Sequence, residues 1–574
     1  MMRKGKFIFI GICIGLIISL VNSVEIVLTN HIMIFQSFPN FIVFFVFSLL
    51  NAFVICVITL IAGYACGAVL SLLSGKESGA GNKPSGYGVI KKTSQVLLNI
   101  KTPVYLLLFL VVFVGFNRWF ISRHDLDPLM NPTRPFKKHT SLRTERPNVM
   151  IIVLDTLRAK SLHSYGHEKV NMPHLDQFFK EGTLFKNTIS TASHTAPSHL
   201  AMISGNFVDS EVMSVPVEKT LTELLNEEGY LSLGVFANEL VTSKNFIRGF
   251  DIYVDHITSP LLYQFFLTYK MAYRLFLNKI MNPQLLFYFE NSRAENVNKV
   301  LFPLLEKYRN ENLFIFVNYI DPHDPYFPLE PKEEDSPYSL ENGFIRYLPY
   351  WKNPDLDKDQ WDNINDLYLQ ELQYLDKYLG DLFEKMKRLD IWDKTIVIIT
   401  SDHGELLGEK GLLTHAIALH EEEIRIPLAI RYPQEIPEGL HIKQQVQTLD
   451  IAPTVCELLK IESPQNTHGK SLLPFIRGYE YPEYPGLAFS LQYEFRALQN
   501  DEWKCVYNLN KKTVKLFNLK SDPDERFNVA SEYPEKKEYF LDMYSLYKKK
   551  YESQPENFNI KSHEERLRSL GYIR

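Results

Sequence analysis

Cysteine is scarce in this chain. Five in 574 residues are too few for a disulfide scaffold. Three of them, Cys13, Cys56 and Cys66, fall in apolar stretches near the start, which leaves Cys456 and Cys505 as the pair open to a bridge. An excess of one charge is also missing. Lys and Arg number 62 against 67 Asp and Glu, a formal net charge of −5, so the basic footprint of a nucleic-acid binder is absent and no nucleic-acid partner is expected. There is no internal repeat, and low complexity is confined to a Gly/Ser-rich loop at 78–88. With 45% hydrophobic and 13% aromatic residues, disorder is excluded and the chain can build either several domains or one large α/β enzyme.

The apolar residues that are present are unevenly placed. Residues 7–24 carry no charge and follow Arg3, Lys4 and Lys6; residues 32–75 are uncharged with an apolar core at 41–64; residues 102–117 end on Arg118-Trp119-Phe120. A membrane helix needs about 20 apolar residues, so three spans are expected, with Arg118 snorkelling and Trp119 at the interface. The second run is long enough for two crossings, but the loop after it holds Lys76, Lys83, Lys91, Lys92 and Lys101 and is basic like the N-terminus. Keeping both basic segments cytoplasmic requires an even number of crossings between them, one before and one through the second run. The third span then exports everything after about residue 122, and a cleavable signal peptide at 1–23 would leave that outcome unchanged. No span carries an ionisable residue at mid-depth, which speaks for an anchor and against a transporter. The expected setting is the cell membrane, multi-pass, with the bilayer as a partner and the soluble part outside the cytoplasm. An aromatic segment at 261–289 could rest on that membrane, cover a pocket or form a buried helical hairpin.

Beyond a proline-punctuated linker, residues 149–154 form an uninterrupted apolar run, and residues 313–320 and 395–400 repeat the pattern. Such runs read as strands buried on both faces. Helical periodicity before them, as at 366–389, implies a large, mostly parallel sheet between helices. Short strands at 503–507 and 514–519 with a helical segment from Pro534 suggest a smaller α+β subdomain. The three long strands end on Asp155, on Asp321-Pro-His323-Asp324 and on Ser401-Asp402-His403-Gly404-Glu405. Ligands bind at the carboxyl ends of strands in open α/β sheets, so carboxylates and imidazoles are delivered to one edge.

The segment 193–205 begins with polar residues, places Pro197 where a helix starts and closes on Gly205. A helix N-terminus offers free N–H groups to an anion, and Thr195 lies beside it. A hydroxyl there, next to a metal, can be held as an alkoxide and attack phosphorus or sulfur; a plain N-cap is the bland alternative. Asp155, Thr195, Asp402 and His403 make a mixed oxygen and nitrogen set for one divalent metal ion, Zn or Mn before Ca or Mg. Singly, each could be a helix cap or a core histidine; together, at the ends of separate strands, they point to a site. His323 and His415 are candidates for proton donation or oxyanion contact, and with Asp321 and Asp324 they leave a second metal open.

Ordered motifs carry a family resemblance: Asn148 to Arg158 with Tyr165-Gly166; Pro173 to Asp176 with Gly182 to Phe185; Thr195-Ala-Pro-Ser-His199; His323-Asp-Pro; Tyr374-Leu-Asp376; Ser401-Asp-His-Gly404; Glu421-Glu422 with Ile426-Pro427; Asp450 to Thr454; Gly469 to Leu472; Asp522 to Glu525 with Asn528. From about 147 to 530 the chain resembles the sulfatase family of the alkaline phosphatase superfamily. The resemblance implies an alkaline-phosphatase/sulfatase-like α/β sandwich, divided as membrane anchor 1–122, linker 123–146, catalytic domain 147–440 and C-terminal subdomain 441–574. It also implies a catalytic Thr195 assisted by His415 and His323, and substrate contacts from Arg158, His199 and Lys410. Departures matter. Where the family carries a Cys or Ser that becomes formylglycine, this chain has Thr195, and His199 replaces the arginine. The family's Asp pair is reduced to Asp155-Thr156, and its Asp-Asn becomes Asp402-His403. The threonine set is similar to membrane-anchored phosphoethanolamine and glycerophosphate transferases, which usually have five spans rather than three, and to nucleotide pyrophosphatases. The resemblance therefore implies cleavage or transfer of a phosphate ester, on a lipid head group or a cell-surface glycan. A true sulfuric-ester hydrolase without formylglycine and a non-catalytic envelope binding protein are the rivals.

Overall fold

The computed structural model describes residues 146–551 except 169, 209–218, 239–240, 242–244, 255–291, 325, 327–355, 464–466, 483 and 485. The three apolar spans, nearly all of the linker and the aromatic segment 261–289 lie outside the described residues. Among the described residues no helix is long and apolar enough to cross a membrane.

Fourteen strands are seen there: β1 Asn148–Leu154, β2 Thr183–Ile189, β3 Leu231–Phe236, β4 Ile252–Val254, β5 Leu313–Tyr319, β6 Thr395–Thr400, β7 Leu406–Leu407, β8 Leu413–Thr414, β9 Arg425–Arg431, β10 Leu440–Gln447, β11 Ala488–Gln492, β12 Phe495–Gln499, β13 Trp503–Asn508 and β14 Thr513–Asn518. The large sheet runs β10-β2-β9-β6-β1-β5-β3-β4. It is mostly parallel, with one reversed strand that makes it mixed. Strand β9 runs antiparallel to both β2 and β6, while the other neighbours pair in parallel. Two antiparallel pairings cancel, so β2 points the same way as β6 and β1, and the carboxyl ends of β2, β6, β1 and β5 share one edge. The edge strand β10 starts at Leu440, so the sheet continues past the boundary drawn there.

The uninterrupted apolar runs have a simple cause. Along β1, Met150, Ile152 and Leu154 pack into one layer with helices α1 Pro173–Lys180, α4 Ala294–Tyr308 and α5 Lys358–Arg388. Val149, Ile151 and Val153 pack into the other with α2 Thr195–Ser204, α7 Ile451–Leu459 and α8 Leu473–Ile476. Alternate side chains reach opposite layers, and both layers are apolar. Short helices α3 Leu221–Glu227 and α6 Glu421–Ile424 complete the framework. Helix α5 begins earlier than its periodicity suggests, because Asp357 and Gln360 form a capping box.

Strands β11 to β14 form a separate antiparallel sheet, one face of which packs with helix α9 Pro534–Tyr551. Its other face meets the large sheet through Ile189, Leu419, Ile424, Ala488, Ala497, Val506 and Phe517. An ion network reinforces this join. Lys504 Nζ, fully buried on β13, lies 3.0 Å from Glu421 Oε1 and 2.8 Å from Glu525 Oε1. Glu525 Oε2 accepts from His420 Nδ1 (2.9 Å) and from the backbone N–H of Glu421 (3.0 Å). The cysteine bridge left open by the sequence is not formed. Cys456 and Cys505 are free and buried, each packed in a different core.

Candidate active site

The functional side chains enter from the ends of several strands. Asp155 follows β1, Asp402 and His403 follow β6, His323 follows β5, and Thr195 opens α2 after the turn that leaves β2. His194 rather than Thr195 is the N-cap, so the threonine hydroxyl is not used as a cap. Gly205, at φ +66, ends the helix in the left-handed conformation that glycine tolerates. Gly404 is needed for another reason: a Cβ there would stand 2.1 Å from the Glu422 carbonyl oxygen.

Four donor atoms converge. Thr195 Oγ1 lies 3.3 Å from His403 Nε2. Asp402 Oδ2 lies 3.4 Å and Asp155 Oδ1 4.0 Å from the same nitrogen. Both carboxylate oxygens are buried and without a hydrogen-bond partner. Their sister oxygens are held in place: Asp155 Oδ2 accepts from Asn238 Nδ2 (2.9 Å) and Asn318 Nδ2 (3.3 Å), and Asp402 Oδ1 from the N–H groups of His403 (2.8 Å) and Thr156 (3.2 Å). His403 Nδ1 donates to the Gly404 carbonyl at 3.0 Å, which leaves Nε2 with its lone pair facing the cluster.

The electrostatics explain what such a cluster accepts. Burial, and then the neighbouring Asp402, raises the Asp155 carboxyl above its usual range, and burial pushes Asp402 up to about 6. Burial brings His403 down to about 4, a neutral imidazole at pH 7. Two buried carboxylates that resist ionisation side by side, beside a neutral imidazole, fit a divalent cation. Ligands bonded at about 2.0–2.2 Å in a tetrahedron stand roughly 3.3–3.6 Å apart, close to the separations here. Asp155, Thr195, Asp402 and His403 are therefore brought together as the sequence anticipates.

His323 and His415 stand next to this group. The His415 ring centroid is 4.4 Å from that of His403 and 4.8 Å from that of His323. Burial alone would lower His323, but the charges of Asp324, Asp155 and Asp402 outweigh it and hold the ring above its ordinary value. Burial, then the charges of His403 and His323, takes His415 well below. An imidazole that holds its proton more readily than usual thus sits beside one that holds it less readily. With Asp324 the two rings form a second group compact enough for a cation.

Of the three residues expected to hold substrate, Arg158 and Lys410 are paired with glutamates and His199 lies beneath the site, its Nδ1 3.5 Å from Asp402 Oδ2. Arg158 Nη1 donates to Glu409 Oε1 (2.8 Å) and the Glu405 carbonyl (3.2 Å), bracing the loop after β6. Lys410 Nζ donates to Glu422 Oε2 at 3.0 Å. His199 is fully buried below the site, where Nδ1 donates to the Thr195 carbonyl at 2.8 Å and the ring packs against Phe246 and Phe316.

Sequence reasoning missed three supporting residues. Asn318, a polar residue inside the apolar run of β5, was a readable signal; Asn238, just past β3, offered none. Glu405, whose Oε1 is 3.2 Å from His415 Nδ1, sits in the run after β6 and was read only as part of it. The backbone is strained around these groups. Thr156 (φ 57), Thr414 (φ 77) and Ala416 (φ 59) all adopt left-handed conformations, the last two flanking His415. Such outliers persist where surrounding contacts over-determine the backbone.

Known proteins share this arrangement of chain. Residues 147–461, more than half of its length, match the sulfatase family, and residues 408–551 match the C-terminal region of N-sulphoglucosamine sulphohydrolase. The choline-sulfatase of Rhizobium meliloti (strain 1021) is 23% identical over 437 residues, 68% of this chain and 83% of that protein. Arylsulfatase K of Homo sapiens is 26% identical over 440 residues, with 68% and 80% covered. In fold, the phosphonate monoester hydrolase of Agrobacterium radiobacter superposes with a TM-score of 0.57 at 19% identity, covering 71% of this chain and 96% of that one. The chain belongs to the sulfatase family and is an ester hydrolase.

Proposed function

We propose that this is a membrane-anchored, metal-dependent hydrolase or transferase that acts on phosphate or phosphonate esters outside the cytoplasm, with Thr195 as its nucleophile. The observation that carries the reading is the Thr195 hydroxyl set among two partnerless carboxylate oxygens and a bare imidazole nitrogen. The absence of an oxidisable Cys or Ser at this position supports phosphorus over sulfur. The uncharged runs before residue 120 and the five-lysine loop support the anchor and its orientation.

Asp155, Thr195, Asp402 and His403 would hold one cation, and their mixed donor set favours Zn or Mn. When bound, it supplies a Lewis acid that favours the ionised hydroxyl and offsets the charge of the ester. Thr195 Oγ1 forms a bond to phosphorus while the bond to the departing alcohol breaks. His323 delivers its proton to that leaving oxygen. Neutral His415 takes a proton from the water or acceptor alcohol that attacks phosphorus next. The bond to Oγ1 then breaks, Oγ1 takes the proton that His415 had accepted, and His323 regains from solvent the proton that Thr195 first released there. N–H groups in the first turn of α2 face the anion throughout.

Burial holds Glu405 well above the usual carboxylate range, and its carboxyl orients His415 through a hydrogen bond. Glu405→Leu is expected to lower kcat by about 10–100-fold, with Glu405→Gln much closer to wild type. Steady-state kinetics of the two variants checks this; equal losses would mean that a charge, not a hydrogen bond, matters.

The reading is tested with the full chain in detergent, loaded with Zn or Mn. The value of kcat/KM for an aryl phosphonate monoester or a bis-aryl phosphate should exceed that for an aryl sulfate by at least about 100-fold. The names of the two sulfatase relatives favour the opposite order, and faster sulfate turnover would replace this reading by a sulfuric-ester hydrolase that uses threonine directly. No turnover and no bound metal would leave a binding module.

A further inference from the structure

The C-terminal sheet reaches the segment that delivers Thr195. Ser490 Oγ donates to the Ser190 carbonyl at 2.6 Å, and the N–H of Leu491 donates to the Thr191 carbonyl at 2.8 Å. The ring centroids of Tyr493 and His194 are 6.4 Å apart. The two segments advance in step, which sets Gln492 beside Ala192 and Ser193, immediately before His194 and Thr195. Side chains alternate along a strand. Phe489 and Leu491 face the core shared with α9, so Gln492 faces with Ser490 towards the Thr195 segment.

Gln492 is fully buried, and neither atom of its amide has a hydrogen-bond partner. The buried Thr191 hydroxyl beside it is also without one. Each such group destabilises the fold when left unsatisfied. The adjoining turn is strained as well. Tyr493, half-buried, has φ 45 at a hairpin position where glycine is usual. Arg496 Nη1 pins that turn by donating to the carbonyls of Tyr493 (2.5 Å) and Phe495 (2.9 Å). A pinned, strained turn that holds an unpartnered amide towards the nucleophile segment is the arrangement of a ligand clamp.

We propose that Gln492, with the Tyr493 ring at its rim, recognises the alcohol side of the ester, and that this alcohol is a neutral hydroxylated group. The proposal rests on the phosphoester reading above for the reacting atom but not for the alcohol. An amide presents one donor and one acceptor, the complement of a hydroxyl, which also has both. A charged group would satisfy only half of it. An aromatic rim suits the C–H face of a sugar or glycerol unit. Glycerol of a lipid head group and sugar of a glycan share this chemistry.

Competitive inhibition separates the outcomes. With the metal-loaded full chain turning over an aryl phosphoester, Ki is measured for ethyl phosphate, glycerol phosphate and a hexose phosphate. In the wild type a hydroxylated ester should bind at least about tenfold more tightly than ethyl phosphate, because a site built for a hydroxyl disfavours the ligand lacking it. In Gln492→Leu that ratio should fall to about one. The leucine protein should melt no lower than wild type, since it removes an unpartnered buried amide, so a loss of the ratio is not a loss of fold. Preference for the glycerol ester points to lipid, and for the hexose ester to glycan. Equal Ki values for all three in the wild type, or a ratio that survives in Gln492→Leu, overturns the proposal. If only aryl sulfate is turned over, the phosphorus reading fails alone, and the same comparison is made with the three sulfate esters.

Discussion

Thr195→Ala lowers kcat towards an aryl phosphoester by on the order of 10⁴-fold or more, while bound metal falls only in part. The size of the effect follows from covalent catalysis: without Oγ1 there is no atom to bond to phosphorus, whereas Asp155, Asp402 and His403 still present their donors. Thr195→Ser keeps the hydroxyl and loses a methyl in a buried place, so about 10–100-fold of activity should be lost and the rest retained. The expected intermediate can be seen directly. Acid-quenched wild-type protein should give a phosphorylated peptide containing residue 195, and the alanine variant should give none. Unchanged turnover in Thr195→Ala, or phosphate found on another residue, would falsify the nucleophile assignment.

The second large effect concerns stability. In metal-free protein Asp402→Asn should melt above wild type at pH 7.5, by about 4 °C, and the gap should close by about pH 4. Its sign comes from the raised carboxyl. Folded Asp402 titrates at about 6 against 3.8 for an ordinary aspartate, so the folded chain holds the proton more tightly than the unfolded one. The stability this contributes is complete below the unfolded value and is lost as pH rises through the folded one, about 3 kcal/mol in all. Asparagine removes that pH-dependent loss, and its amide can donate to the partnerless Oδ1 of Asp155. Zn or Mn should reverse the order, since wild type gains binding energy and the variant lacks a ligand. Calorimetry with and without chelator decides the matter; a cation that stabilises both proteins equally removes Asp402 from the metal set.

Much of the catalytic edge was legible because long apolar strands deliver their terminal residues directly. Runs at β1, β5 and β6 have a single reading, and the polar residue after each is conspicuous. The direction of β9 was not legible, since an apolar run looks the same whichever way the chain returns. Partners of charged residues were hidden as well. Arg158 finds Glu409 across 251 positions and Lys410 finds Glu422 across 12, so both looked available for an anionic substrate until the fold showed their charges already neutralised. His199, expected to touch substrate, lies one turn below Thr195, where it supports the helix instead.

The ion network around Lys504 has a consequence for the order in which this protein becomes active. The loop that carries His415 ends at His420, and His420 is held by Glu525. During synthesis Thr195 leaves the ribosome long before residue 525 does. Until that late segment arrives, Lys504 and Glu525 cannot pair, and the last stretch of the catalytic loop has no brace. A nascent or C-terminally clipped chain that lacks residue 525 should thus display Thr195 without a braced His415 loop, and ester cleavage is deferred until residue 525 has been made and folded.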